Sequence, residues 1–183
     1  MIQYSFLSLV LSSTLLFSAS LGEEQAIQKG SAVAGTLVQK LGGELINQMQ
    51  TSEAMGALHF CSQNAQVLTD QVGKESDTQV KRVSLKNRNP INGASSEEKV
   101  ILNGWEKLQN SGKPLPSHEI KANGQYTYYK PILINNDVCL KCHGEIATDS
   151  PLAKEILSTY PEDKAVGYKI GDLRGMIVVT FPR

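Results

Sequence analysis

Apolar residues recur along this chain in two rhythms. From Glu24 to about Val72 they follow a helical period, with little glycine or proline after Gly43, which predicts a long helical region interrupted at Gly30 and Gly42-Gly43. In its second half Ala54, Leu58, Cys61, Ala65 and Leu68 recur at steps of four and three, a stripe that predicts an inward-facing Cys61. After that the rhythm shortens. Residues 80–88 alternate as a strand with a patchy apolar face, ended by Asn89-Pro90, and residues 95–112 read as a short amphipathic helix capped by Ser95 or Ser96. The aromatic and β-branched run 124–135 and the run 174–181 predict two further strands. Between them a helix starting at about residue 152 stops at Tyr160-Pro161, and a short strand from Val166 to Ile170 turns at Gly171-Asp172 into the last strand. Helices followed by a small antiparallel sheet with flanking helices predict an α+β domain.

The amino terminus changes the picture of where this domain works. No charged side chain precedes Glu23, and the apolar centre Phe6 to Phe17 is followed by Ser18, Ala19 and Ser20. This pattern reads as a secretory signal over residues 1–22, cleaved after Ser20 or Gly22, and predicts a periplasmic or otherwise exported protein. The segment before the apolar centre lacks Lys and Arg, which leaves an uncleaved membrane anchor as the alternative. The remainder, 23–183, is enough chain for one domain. Its charge argues against nucleic-acid partners, because 18 basic and 18 acidic residues give no net field.

Three cysteines, Cys61, Cys139 and Cys142, cannot all pair within an exported chain. Cys139-Leu140-Lys141-Cys142-His143 explains the odd count. Two thiols two residues apart can reach the two vinyl groups of a haem, and the histidine that follows places its imidazole on the iron. A zinc site would ask for a second ligand pair, whereas His59 and His118 are isolated, and a redox dithiol leaves the adjacent histidine unexplained. On these grounds Cys139 and Cys142 are the thioether residues, His143 is one axial ligand, and the cofactor is a single covalent haem c. The motif is expected in a loop entering the helix at about residue 152. Residues that could occupy the iron's sixth position are Cys61, His59, His118, Met49, Met55 and Met176, and the position could also be left open.

Taken in order, "FCSQNA", "KRVSLKNRNPIN", "YTYYKPI", "CLKCHG" and "YPEDKAVGYKIGDLRGMIVV" resemble a family of single-haem c-type proteins with a PAS-like fold, exported proteins and sensor regions of cyanobacteria and proteobacteria. The resemblance implies a PAS-like antiparallel sheet with a long amino-terminal helix, and iron held by His143 on one side and Cys61 on the other. Relatives commonly carry a proline after the alanine of the first motif where this chain has Gln66, which changes the helix end and not the ligation. Arg88, Arg174 and Lys86 are candidate partners of the haem propionates, because arginine forks match carboxylates; the plainer reading is solvated strand charge. Tyr126, Tyr128, Tyr129 and Tyr168 are expected to pack the sheet, Trp105 to lie in the core and His118 in an exposed loop.

These expectations describe redox or diatomic-gas sensing through a sulfur ligand that can leave the iron, with a low-potential electron carrier as the alternative. A haem enzyme is disfavoured because no distal acid/base pair is evident. Sensing would need a separate redox or signalling partner, since the chain contains no recognisable output segment. Val33, Leu37, Leu41 and Ile46 could form a homodimer seam or pack on the domain itself.

Overall fold

The computed structural model describes residues 22–183, so the apolar centre of the expected signal and the first of its two cleavage positions, Ser20, lie outside the described residues. Helix α1 (Glu23–Glu75) is followed by strand β1 (Gln79–Val83), a 3-10 turn (Pro90–Asn92) and helix α2 (Ser96–Asn110). Strands β2 (Glu119–Asn123) and β3 (Gln125–Leu133), helices α3 (Asp137–His143) and α4 (Pro151–Thr159), and strand β4 (Leu173–Pro182) complete the chain. The strands form one antiparallel sheet in the order β1-β4-β3-β2. The α+β class is as expected: a long amino-terminal helix, a four-stranded antiparallel sheet and flanking helices. Among the described residues no helix is long and apolar enough to cross a membrane.

Alternation along the strands divides the core. Val80, Tyr126, Tyr128, Ile177, Val179 and Phe181 meet Ala26, Val33, Ala34 and Leu37 of α1 on one face. Val83, Tyr129, Met176 and Val178 meet Ile101, Leu102 and Trp105 of α2 on the other. Both faces of β4 are covered, which is why its sequence reads as a continuous apolar run. Val33 and Leu37 pack on the domain itself and Leu41 packs partly against the same cluster, whereas Ile46 is exposed.

Several local expectations are corrected. The break in α1 falls at Glu53 (φ 54°, ψ −161°), not at Gly30 or Gly42-Gly43, so residues 23–52 and 54–75 are two helical segments. Gly30 is a contact residue: a Cβ there would lie 2.4 Å from Tyr128 Cγ. Strand β1 stops at Val83 because the chain departs through Ser84, whose N–H bonds Asn92 O at 2.9 Å. A strand at 119–123, unforeseen in a segment rich in turn formers, pairs with β3. The strand expected at 166–170 is instead a turn: Gly167 takes φ 73°, and the N–H groups of Gly167 and Tyr168 bond Gly144 O at 3.0 Å and His143 O at 2.9 Å. That segment serves the end of α3 and contributes nothing to the sheet.

Replacing Gly30 with alanine forces a methyl group into the Tyr128 ring and is expected to cost about 2 kcal/mol, the range of overpacked cores. Chemical denaturation of Gly30→Ala beside Gly35→Ala, whose added Cβ meets nothing within 4 Å, checks this.

Candidate functional site

The CxxCH motif lies on a helix of its own, α3, and not in a loop. Asn136 caps it, its Oδ1 accepting the N–H of Cys139 at 3.2 Å. On a helix, positions 139, 142 and 143 are spaced i, i+3 and i+4 and share a face, so the motif presents both thiols and the imidazole in one direction. The helix stops at Gly144, whose N–H bonds Leu140 O at 2.9 Å and where a Cβ would lie 2.7 Å from that oxygen.

Three further carbonyls at this end are occupied. Arg88 Nη2 donates to Cys142 O at 2.7 Å, Tyr168 N–H to His143 O, and Gly167 N–H to Gly144 O. His143 is 2.8 Å through Nδ1 from the carbonyl of Ala165; because a carbonyl only accepts, Nδ1 carries the proton and Nε2 keeps its lone pair. Burial first, then the cations of Arg174 and Arg88, hold the imidazole pKa well below the usual histidine range. The ring is therefore a neutral donor, supported edge-on by Tyr168 at 6.3 Å between centroids.

Facing α3 is a cavity of about 150 Å³ whose lining includes Cys61, Cys139, Cys142 and His143. Arg82, Tyr160 and Arg174 also line it. Drug-sized pockets run to about 300–1,000 Å³, so an occupant of that size would extend beyond this partly open volume or displace its walls. A larger, open depression of about 660 Å³ lies between Asp70, Lys74, Asp77, Gln125 and Phe181; its lining holds no histidine or cysteine, so the chemistry belongs to the smaller cavity.

Cys61 departs from its expected burial: Leu58 and Ala65 of its stripe are buried, but Cys61 is exposed, on the cavity wall. Its thiol pKa is nonetheless raised, first by the surrounding protein and then by the neighbouring Cys142, against the pull of Arg82 and Arg88. Of the candidates for the sixth position, Cys61 alone is among the cavity's lining residues. His59 is tied to Glu155 at 3.2 Å, His118 stacks on Tyr128 at 5.3 Å, and Met176 is fully buried against α2. Met49 and Met55 are half-buried elsewhere on α1.

The cationic candidates separate. Arg174 lines the cavity, bonded to Ser84 Oγ at 3.0 Å and Lys86 O at 3.2 Å. Arg88 also borders it, but its fork is committed to Asp163, Cys142 O and Ala165 O. Lys86 lies outside the lining, with Nζ 2.6 Å from Val166 O and 4.4 Å over the Tyr168 ring. Arg82, which sequence reasoning passed over, faces the cavity with Nε bonded to Thr69 Oγ1 at 3.1 Å. Its signal was present: it shares the α1 face of β1 with buried Val80, a charge where alternation asks for an apolar residue. Tyr160 and Asp163 carried no comparable signal.

The profile of the Tll0287-like family matches residues 19–182. The chain belongs to the Tll0287-like family. The resemblance seen in its motifs thus holds at the level of family. Among solved structures, the crystal structure of the cyanobacterial heme-protein Tll0287 is similar, with 25% identity over 87% of this chain and 89% of that one and a TM-score of 0.55. No curated protein sequence matches. In this Tll0287-like chain the family match includes all four sulfur and nitrogen donors of the cavity.

A raised pKa means less thiolate at neutral pH, so Cys61 should alkylate slowly despite its exposure. In a Cys139→Ser/Cys142→Ser chain, iodoacetamide labelling is expected to rise with pH along a curve whose midpoint lies above that of an unstructured cysteine peptide. A midpoint at or below the peptide's would contradict this environment.

Proposed function

We propose that this chain is an exported c-type haem protein, with one haem joined to Cys139 and Cys142 and its iron held by His143 and Cys61, that responds to redox state or to a diatomic gas. The observation that carries the reading is the gathering of these four residues at one cavity, with His143 Nδ1 engaged by Ala165 O and Nε2 left as the donor. That the similar structure is of a heme-protein supports the cofactor.

The residues suit a haem. Two thiols and an imidazole share a face of α3, and a soft sulfur donor stands on the second segment of α1. Arg82 and Arg174 bond neutral oxygens and, among the described residues, make no salt bridge, which leaves their charge for the propionates. Arg174 keeps the role expected of it, and Arg82 takes the place of Arg88 and Lys86. A bound haem supplies a one-electron iron couple and an axial position that a small gas can take.

The two protein ligands are held unequally. His143 is fixed by the carbonyl of Ala165 and by the bonded end of α3, whereas Cys61 sits beyond the break at Glu53 on a segment of its own. With its side chain exposed while His143 is bonded to the buried Ala165, Cys61 is the side that lets go. Departure of Cys61 would let the stretch of α1 between Glu53 and its anchor at Thr69 and Val72 shift, and a redox or signalling partner would read that change. The same firmness of α3 favours a second reading, a low-potential electron carrier that keeps both ligands in both oxidation states. No catalytic step is proposed.

Covalent attachment is tested by expressing the chain with a periplasmic haem-maturation system and staining denaturing gels for haem. The wild type is expected to keep its haem after denaturation and Cys139→Ser/Cys142→Ser to lose it; a wild type that releases all haem on denaturation overturns the proposal.

A further inference from the structure

Asp163 is a buried carboxylate with no part in the cavity lining, in the turn that follows α4. Its side chain is 2% exposed, and its partner Arg88 is 11% exposed. The pair is bidentate: Oδ1 accepts Arg88 Nε at 3.1 Å and Oδ2 accepts Nη2 at 3.1 Å, while Oδ1 also takes the N–H of Ala165 at 2.9 Å. Burying two ions for stability alone gains little, because a well-packed apolar pair often serves as well. What distinguishes this pair is its next bond.

Arg88 Nη2 reaches the carbonyl of Ala165 at 3.3 Å, the same oxygen that accepts His143 Nδ1–H at 2.8 Å. It also holds Cys142 O at 2.7 Å, one residue from the imidazole. Ala165 itself is fully buried, so this carbonyl is shielded from competing water. A cation on that oxygen draws its electron density away and weakens it as an acceptor; a carboxylate behind the cation restores it. The hydrogen bond on the far nitrogen of a ligating histidine sets that ring's basicity toward the metal.

Resting on the reading that His143 ligates iron, we propose that Asp163 and Arg88 are positioning residues that set the iron's reduction potential through the shared carbonyl of Ala165. The expected signs follow from charge. Asp163→Asn removes a negative charge and leaves Arg88 pulling unopposed on Ala165 O, which disfavours ferric iron on both counts and raises the potential. Arg88→Gln removes the positive charge and frees the carbonyl for His143, which lowers it. The double variant cancels the charges and returns toward wild type.

The test is spectroelectrochemical titration of the holoproteins, with thermal midpoints recorded in parallel; the thioethers keep the haem in place in every variant. The expected result is opposite shifts, each about tenfold in the ferric-to-ferrous equilibrium, or 59 mV for one electron. Where Asp163→Asn does not accumulate folded, adding it to Arg88→Gln buries no lone charge, and that addition must raise the potential. A pair serving only as a brace would lower both thermal midpoints while leaving the potentials in place or moving them in the same direction, and either result overturns the proposal. A wild type without covalent haem overturns the haem reading instead, and this inference with it; a normal haem with unmoved potentials overturns this inference alone.

Discussion

The hydrogen bond from His143 Nδ1 to the carbonyl of Ala165, 2.8 Å long, organises this end of the molecule. It fixes the tautomer, turns Nε2 into the ring's donor, and joins the last residue of α3 to a turn more than twenty positions away. That turn, far from being a passive connector, also supplies N–H groups to His143 O and Gly144 O and the carboxylate that engages Arg88. A seven-residue helix is too short to hold itself in water, so its position is borrowed from these tertiary bonds.

The sheet provides the fixed frame on which this rests. Its faces are filled by α1, through Val33 and Leu37 of its amino segment and Val72 of its carboxyl segment, and by α2, and Arg82 and Arg174 leave its strands on the side of the cavity. The carboxyl segment of α1 then closes the other wall with Cys61. The positive φ at Glu53 divides one helix into two segments that both pack, through Val33 and Leu37 before it and Leu58 and Val72 after it, and only the second also presents a sulfur to the cavity. A residue other than glycine adopts that conformation at a cost, and it persists only where the surroundings compel it.

Much of this was legible in the residues. The CxxCH spacing carried its own chemistry, Ser95 announced α2, where it and Glu98 form a reciprocal cap, and the apolar run 174–181 marked the strand β4. What escaped was set by tertiary contact. Gly30 reads as a helix breaker by propensity, but here it makes room for Tyr128. The run 166–170 has the composition of a strand, yet its N–H groups are spent on α3, a partner no local pattern reveals. Cys61 lay on an apolar stripe that implied burial, and the stripe runs along the cavity wall instead. Arg88 was read as a partner of the cofactor because its fork suits carboxylates; the carboxylate it found is Asp163.

The central claim is that iron is held between His143 and Cys61, and low-temperature EPR of the ferric holoprotein, wild type beside Cys61→Ala, tests it most directly. The account predicts a low-spin wild-type signal with thiolate character that disappears in the variant, while haem attachment is unchanged. Identical spectra from the two proteins would contradict it and remove Cys61 from the iron.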